Sequence, residues 1–503
     1  MALTRRDLFR TGGTVLAGLA VRPRVARATA DPGLAAGGSF PTGVLAGDPR
    51  VRAIVLAARV DGLPDGARVG VEVARDPDFG HVVARRLVPV RREWADVARV
   101  RIASPAFRSG EPFWYRFFTR DADSPIGRFR MRPEPDSSEP VRMAWFSCQG
   151  WPAGYYGAHT ALAQEPDLDL ALSVGDYIYE LTDDTGPPDR VDTIGPDHDG
   201  FAQTLDEYRA KYRLYQSDPK LQAMHAAHTF LAVWDNHELA DDSPGHLGGK
   251  PVRVPLATRM AYGKRAFFEA LPMAYAHEDK FHLYRSVAFG AHVELFLLDT
   301  HSYADAPTGR TYLGAGQLAW LLRRLKRSRA TWKIVASTTV MEGTDITPGV
   351  PINLSQWDGY PDERRAIMEH ILREGIGGVV VLSGDLHTFI AGQITTTGRD
   401  DGVPAAVDFT GGAITSQGLL DTYPPRPDRE ALAAQLEAQG RLVNQHFAFL
   451  DLLAKGYGVL EADASELRVT FRTVESVLEP DSPVRDLARF RVAPDAPVIE
   501  RLA

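Results

Sequence analysis

Five short motifs carry residue types from which a hydrolytic metal centre can be built. They are Ser147-Cys148-Gln149, Gly175-Asp176-Tyr177-Ile178-Tyr179-Glu180, Trp234-Asp235-Asn236-His237-Glu238, Leu298-Asp299-Thr300-His301 and Ser383-Gly384-Asp385-Leu386-His387. Each follows an apolar run. A Gly-Asp pair at a strand end is on its own most often a turn or helix cap, so the weight lies on the set and its order. Hydrolysis of a phosphate ester needs the phosphoryl charge neutralised and a water made nucleophilic near neutral pH, and two cations roughly 3.5–4 Å apart supply both. Asp176 is the candidate bridge between them, because the glycine before it lets the backbone approach closely.

The remaining donors divide by softness. Tyr179, three residues after Asp176, can turn back as a phenolate; with a free pKa of about 10, a phenolate is a good ligand only for a strongly Lewis-acidic ion, which favours ferric iron. Cys148 as thiolate and His387 as neutral imidazole complete a mixed sulfur, nitrogen and oxygen set that suits iron or zinc. Asp176, Asn236 and Asp385 form an oxygen-only set that favours calcium, magnesium or manganese. His237, directly after Asn236, is placed to give a hydrogen bond or proton to the phosphoryl or leaving-group oxygen. Asp235 reads as a turn cap, Tyr177 as structural, and His159 as a residue outside the ligand set.

These motifs need strands that end at a common edge. From 141 onward, apolar runs at 141–146, 168–174, 229–234, 293–298, 332–336 and 378–382 end in polar loops followed by helical stretches, the pattern of an α/β layered domain with its site just past the strand ends. Residues 183–199 read as a long loop and 429–453 as an amphipathic helical stretch. From 40 to 132 the pattern is short alternating runs broken by Gly, Pro and Asp, as in a small antiparallel β-sandwich. The proline-rich 132–140 marks the boundary, a catalytic domain is expected over 141–480, and 481–503 is expected as a C-terminal tail.

The first thirty residues read as a targeting segment. Thr4-Arg5-Arg6-Asp7-Leu8-Phe9 carries paired arginines, an apolar run follows from Gly12 to Val21, and small residues at 26–28 or 28–30 offer a cleavage site. The expectation is a twin-arginine signal read by the twin-arginine translocation machinery, with a periplasmic or extracellular product. The apolar run is too short to cross a bilayer of ~30 Å as a permanent helix, so no stable membrane span is expected after processing. Over 503 residues, 44% hydrophobic and 24% charged, the net charge is -8. That balance offers no bulk positive field and no evident nucleic-acid-binding module, so a phosphorylated substrate must be held locally. The single cysteine, Cys148, excludes an internal disulfide.

At these motifs the chain resembles the PhoD-like family of alkaline phosphatases and phosphodiesterases. The likeness begins at Phe40-Pro41-Thr42-Gly43-Val44-Leu45-Ala46-Gly47-Asp48-Pro49, runs through the Cys148, Asp176 and Asn-His-Glu motifs, Trp357-Asp358-Gly359-Tyr360-Pro361 and Gly384-Asp385-Leu386-His387, and closes over 444–458. It implies an α/β fold with a four-layer αββα metallophosphoesterase core after an N-terminal β-sandwich, and a C-terminal helix shaping access. It also implies Fe3+ held by Cys148, Asp176, Tyr179 and His387, and Ca2+ held by Asp176, Asn236 and Asp385. One position departs: His301 stands where the family often has an arginine able to pair with phosphate oxygens as a bidentate cation. His301 and Arg310 are therefore the expected substrate contacts, with Arg364 and Arg365 as further nearby cations.

The function expected is hydrolysis of phosphate mono- and diesters by a metal-activated hydroxide. A preference for phospholipid or teichoic acid diesters would use the same site with a different access channel. A non-catalytic exported phosphate-ester or metal-binding protein is the reading from another class, and the presence of His237 speaks against it.

Overall fold

The computed structural model describes residues 33–181, 184–241, 247–275, 280–305 and 311–503. The expected signal segment and Arg310 lie outside the described residues. Among those described, no helix is long and apolar enough to cross a membrane.

The apolar runs of the second region become strands whose residues are buried on both faces. Leu170–Val174, Thr229–Val233, Trp332–Ala336 and Val379–Ser383 are buried throughout, as expected of parallel strands covered on either side. Val141–Phe146, Leu170–Val174, Thr229–Val233 and Leu45–Arg50 lie parallel in the middle of a ten-stranded sheet. Val293–Leu297, Trp332–Ala336, Val379–Ser383 and Pro404–Gly411 lie parallel in a seven-stranded one.

Pleating decides how the sheets pack. Val293, Leu295 and Leu297 join one core with Trp145, Leu172 and Phe230 of the ten-stranded sheet. Phe296, from the same strand, joins a second core with Leu321, Leu325, Ile367 and Ile371 of the helices Gly314–Arg327 and Pro361–Arg373. The ten-stranded sheet shares its core with Leu162, Tyr212, Leu221 and Phe267 from four further helices. Two of these helices start on side-chain caps: Thr204 and Glu207 form a capping box, and Asp218 caps the helix that opens with Pro219. Each such cap contributes about 1 kcal/mol. The long loop after 183 is pinned at two points. The Arg190 guanidinium meets Asp218 at 2.7 Å and stacks on Trp151, and the fully buried Lys211 ammonium meets Asp192 at 2.5 Å.

Three segments differ from their sequence reading. The alternating region from 40 to 132 keeps a core of its own, yet its strands divide between two sheets: Leu45–Arg50, Ala53–Arg59 and Val97–Ala103 extend the ten-stranded sheet, while Arg68–Ala74, Val82–Pro89, Pro112–Phe118 and Gly127–Arg130 form a four-stranded sheet. Both sets share a core that includes Ile54, Leu56, Val71, Phe113 and Phe117. Residues 481–503, expected as a tail, supply the strands Val484–Ala493 and Ala496–Leu502 at the sheet edge. The stretch expected to be helical to 453 stops at Val443, and Phe447–Asp451 is a strand. Asn444 enforces that break, since its buried amide exchanges hydrogen bonds with the backbone of Asp345, both at 2.9 Å.

Candidate metal centre

Each of the five donor-bearing motifs lies just past the carboxyl end of a parallel strand, where open α/β sheets place their ligands. Cys148, Asp176 and Asp235 follow strands of the ten-stranded sheet; His301, Asp385 and His387 follow strands of the seven-stranded one. The turns are tight enough to require glycine before the acids. A Cβ on Gly175, at φ +106°, would lie 2.6 Å from the Asp235 Cβ, and one on Gly384 would lie 2.4 Å from the Ser147 hydroxyl. Cys148, Asp176, Asp385 and His387 themselves occupy the left-handed region, at φ +53°, +54°, +69° and +54°. That conformation costs on the order of 1–3 kcal/mol for each side-chain-bearing residue and clusters where function demands it.

Two groups of donors result. Cys148, Asp176 and His387 bring one ligand atom each within 4.8 Å of one another. Tyr179 completes this group: its hydroxyl lies 3.2 Å from Asp176 Oδ2 and 3.1 Å from His387 Nε2. Cys148 Sγ lies 3.5 Å from the same Asp176 oxygen. His387 Nδ1 faces the Gln417 carbonyl at 2.5 Å, which fixes the tautomer with Nε2 as the lone-pair nitrogen facing the group. The second group is Asp176, Asp235 and Asp385, again within 4.8 Å. Asp176 belongs to both, the geometry a bridging carboxylate needs. Asn236 borders the second group through its backbone N–H, which donates to Asp235 at 3.0 Å, while its amide nitrogen donates to Asp241 at 3.1 Å.

A cation fits what these residues lack. Asp176 Oδ1 and Asp235 Oδ2 are buried oxygens without a hydrogen-bond partner, a costly condition for an acid unless it is protonated or coordinated. Burial raises the Asp176 carboxyl well above its usual range, with Asp235, Glu238 and Asp385 adding to it against His237. Burial and Asp235 push Asp385 up to about 6. Burial and Asp176 likewise raise the Cys148 thiol and the Tyr179 phenol. Without a cation this is a mutually repelling set that holds its protons; with one, the same burial strengthens the attraction.

Around the donors lies a supporting layer. His237 Nδ1 donates to Glu180 Oε2 at 2.8 Å, and its ring sits 4.2 Å from that of Tyr179. Burial alone would lower its pKa, but the Asp176 and Glu180 carboxylates raise it to about 10. Glu238 accepts the backbone N–H groups of Asp176, Tyr177 and Asp235. Gln356 donates to Asp385. Asp235, read from sequence as a cap, does cap the short helix Asn236–Leu239, with Glu238 as the reciprocal member of the box, yet it also belongs to the acidic cluster.

The expected substrate contacts fare differently. His301 turns Nε2 onto the Asp235 carboxylate, reaching into the cluster through that acid. Arg364 is buried away from it, bonded to Asp358 at 2.9 Å, and Arg365 pairs with Asp362 on the surface. His159 is buried and bonded to Gln149 at 2.8 Å. Sequence reasoning missed Glu180, Glu238 and Gln356; the Asp-x-x-Glu spacing of a capping box was the one readable signal.

Comparison with known proteins gives this arrangement a class. The solved structure of PhoD matches with a TM-score of 0.79 at 26% identity over 92% of each chain. A purple acid phosphatase from yellow lupin (Lupinus luteus) shares the fold alone, with a TM-score of 0.55 at 13% identity over 90% of this chain and 73% of that one. Alkaline phosphatase D of Bacillus subtilis (strain 168) is 28% identical over 485 residues, 90% of this chain and 80% of that protein. The class is that of phosphoester hydrolases. The sequence matches PhoD-like phosphatase over residues 143–471 and the PhoD-like phosphatase N-terminal domain over 26–133, and the chain belongs to the PhoD-like phosphatase family.

Proposed function

We propose that this phosphoesterase is an exported enzyme hydrolysing phosphate mono- and diesters at a mixed pair of cations, iron and calcium. The observation that carries the reading is the sharing of Asp176 between two donor groups of different softness. Cys148, Tyr179 and His387 join it on the side suited to Fe3+; Asp385 and Asp235 join it on the side suited to Ca2+, where the neighbouring Asn236 would add its carbonyl oxygen. When bound, such a pair neutralises the phosphoryl charge and lowers the pKa of water.

The chain's own residues do the rest. His237, fixed through Nδ1 by Glu180, presents Nε2 as a donor to the phosphoryl or leaving-group oxygen. The Glu180 carboxylate at Nδ1 favours the protonated ring that this task needs. Glu238 and Gln356 hold the ligand turns, and His301 steadies Asp235. Two facing sheets with helices outside each, and the shared apolar core of the N-terminal strands, support the four-layer αββα core and β-sandwich expected for this activity. The paired arginines at 5 and 6 support export by the twin-arginine route. Hydrolysis of mono- and bis-nitrophenyl phosphate by protein reconstituted with iron and calcium tests the reading. Bound metal with no turnover of either ester would favour a binding protein instead.

A further inference from the structure

A buried cation that belongs to neither donor group holds the turn of His387. Lys455 opens the strand Lys455–Ala462 of the ten-stranded sheet, where the next residue, Gly456, donates its N–H to the Ala413 carbonyl at 2.7 Å. The Lys455 side chain is 5% exposed; its ammonium donates to the His387 carbonyl at 3.1 Å and pairs with Asp421 Oδ2 at 2.9 Å. The same Asp421 oxygen accepts the Gly418 N–H at 2.7 Å, and Oδ1 accepts the guanidinium of Arg429, the first residue of the helix Arg429–Val443. The turn closed by Asp421 carries Gln417, whose carbonyl faces His387 Nδ1. The Gln417 side chain in turn bonds both ways to the Thr185 backbone, accepting its N–H at 3.3 Å and donating to its carbonyl at 2.6 Å. His387 is thus gripped at two atoms, its carbonyl by Lys455 and its Nδ1 by Gln417. These parts are in close contact: a Cβ on Gly418 would lie 3.2 Å from both the His387 carbonyl oxygen and Lys455 Nζ.

We propose that Lys455, paired with Asp421, is a positioning residue for His387, keeping its imidazole in the donor group with Cys148, Asp176 and Tyr179. The assignment rests on the metal reading of that group. Two observations carry it. His387 stands in the left-handed region at φ +54°, a conformation that a residue with a side chain keeps only where its surroundings hold it; the ammonium on its carbonyl is such a hold. The second observation concerns charge. A buried ion pair contributes little net stability compared with an apolar replacement, and Asp421 is already neutralised by Arg429. What Lys455 adds, and Arg429 does not, is the bond to His387.

Lys455→Met keeps the length of the side chain, leaves Asp421 paired with Arg429 and removes the donor to His387. Titration of the metal-free protein with Co2+, followed by thiolate-to-cobalt absorption, reads the group of Cys148 and His387; calorimetric titration with Ca2+ reads the acidic group. Co2+ affinity is expected to fall about 10–100-fold, with Ca2+ affinity and the thermal melt of the metal-free protein unchanged. Lys455→Arg restores a charged donor and should recover most of the loss. Lys455→Gln, a shorter neutral donor, gives the same comparison where the methionine variant does not fold. Unchanged Co2+ affinity, an equal fall in both affinities, or an arginine variant no better than methionine overturns the proposal. Arg429→Gln is the control: a loss of Co2+ affinity as large as that of Lys455→Met would assign the effect to the whole charged cluster and also overturn it. Wild-type protein that binds Co2+ without thiolate absorption sinks the metal reading and this assignment together, whereas normal wild-type absorption that no Lys455 variant alters sinks this assignment alone.

Discussion

Glu238 Oε2 accepts the backbone N–H of Asp176 at 3.1 Å and that of Asp235 at 2.7 Å. One buried oxygen thus fixes two turns from adjacent strands, and with them the acid shared by both donor groups. The other carboxylate oxygen takes the N–H of Tyr177. The spacing of the donors is therefore set partly by a residue that is not one of them.

Glu238→Gln keeps the size of the side chain but turns an amide NH2 toward backbone donors. Leaving one buried N–H unsatisfied costs about 1–3 kcal/mol, and loosening outer partners of a metal site typically costs about 10–100-fold in cation affinity. Thermal unfolding and metal titration of the variant check this. An unchanged metal affinity would show that Glu238 only caps its helix.

Cys148→Ala and Asp385→Asn should act on different ions. The first removes the sulfur donor and should lose the iron with any visible thiolate absorption while retaining calcium; the second should weaken calcium while retaining iron. Elemental analysis of the two purified variants reads this directly, and loss of both ions from either one would point to a single indivisible cluster.

His237→Gln should keep both cations, because His237 belongs to neither donor group, and lower turnover by about 10²–10⁴-fold. Steady-state kinetics with metal analysis separate the two effects. A fall in metal content equal to the fall in rate would make His237 a support for the donors instead.

The acidic cluster predicts a pH effect in the absence of metal. Burial and Asp235 raise Asp385 to about 6, above the carboxylate range of an unfolded chain, about 4. Between these values the folded protein holds a proton the unfolded chain has lost, so this group's contribution is present below about pH 4 and is lost as pH rises through about 6. Asp385→Asn removes the penalty. The chelated variant should therefore exceed chelated wild type in stability at pH 7.5, by on the order of 1–3 kcal/mol, with the difference closing near pH 4.5. Denaturant melts at the two pH values check it, and a difference independent of pH would contradict it.

The donor residues were legible because each sits after an apolar run long enough to be a buried strand, and because glycine precedes Asp176 and Asp385. The supporting layer was not. Glu238 acts through backbone N–H groups that only the folded turns bring to it, and Gln356 reaches Asp385 across a separation of 29 residues that no motif links. His301 illustrates the same limit: its position suggested a phosphate contact, but its partner, Asp235, follows a strand of the other sheet. The N-terminal strands read correctly as short and alternating, yet which sheet they join is decided by pairing between Leu45–Arg50 and Thr229–Val233, a contact across some 180 residues that periodicity does not encode. The helix end at Val443 was hidden for a related reason, since the Asn444 partner is the distant backbone of Asp345.

In the proposed centre, Asp176 joins a sulfur-, nitrogen- and phenolate-bearing site to an oxygen-only site. The most direct measurement is the iron and calcium content of the exported protein, taken with its hydrolysis of mono- and bis-nitrophenyl phosphate before and after chelation. The account predicts about one iron together with calcium, and hydrolysis that is lost on chelation and restored only when both ions are returned; two zinc ions, or full activity in the chelated protein, would contradict it.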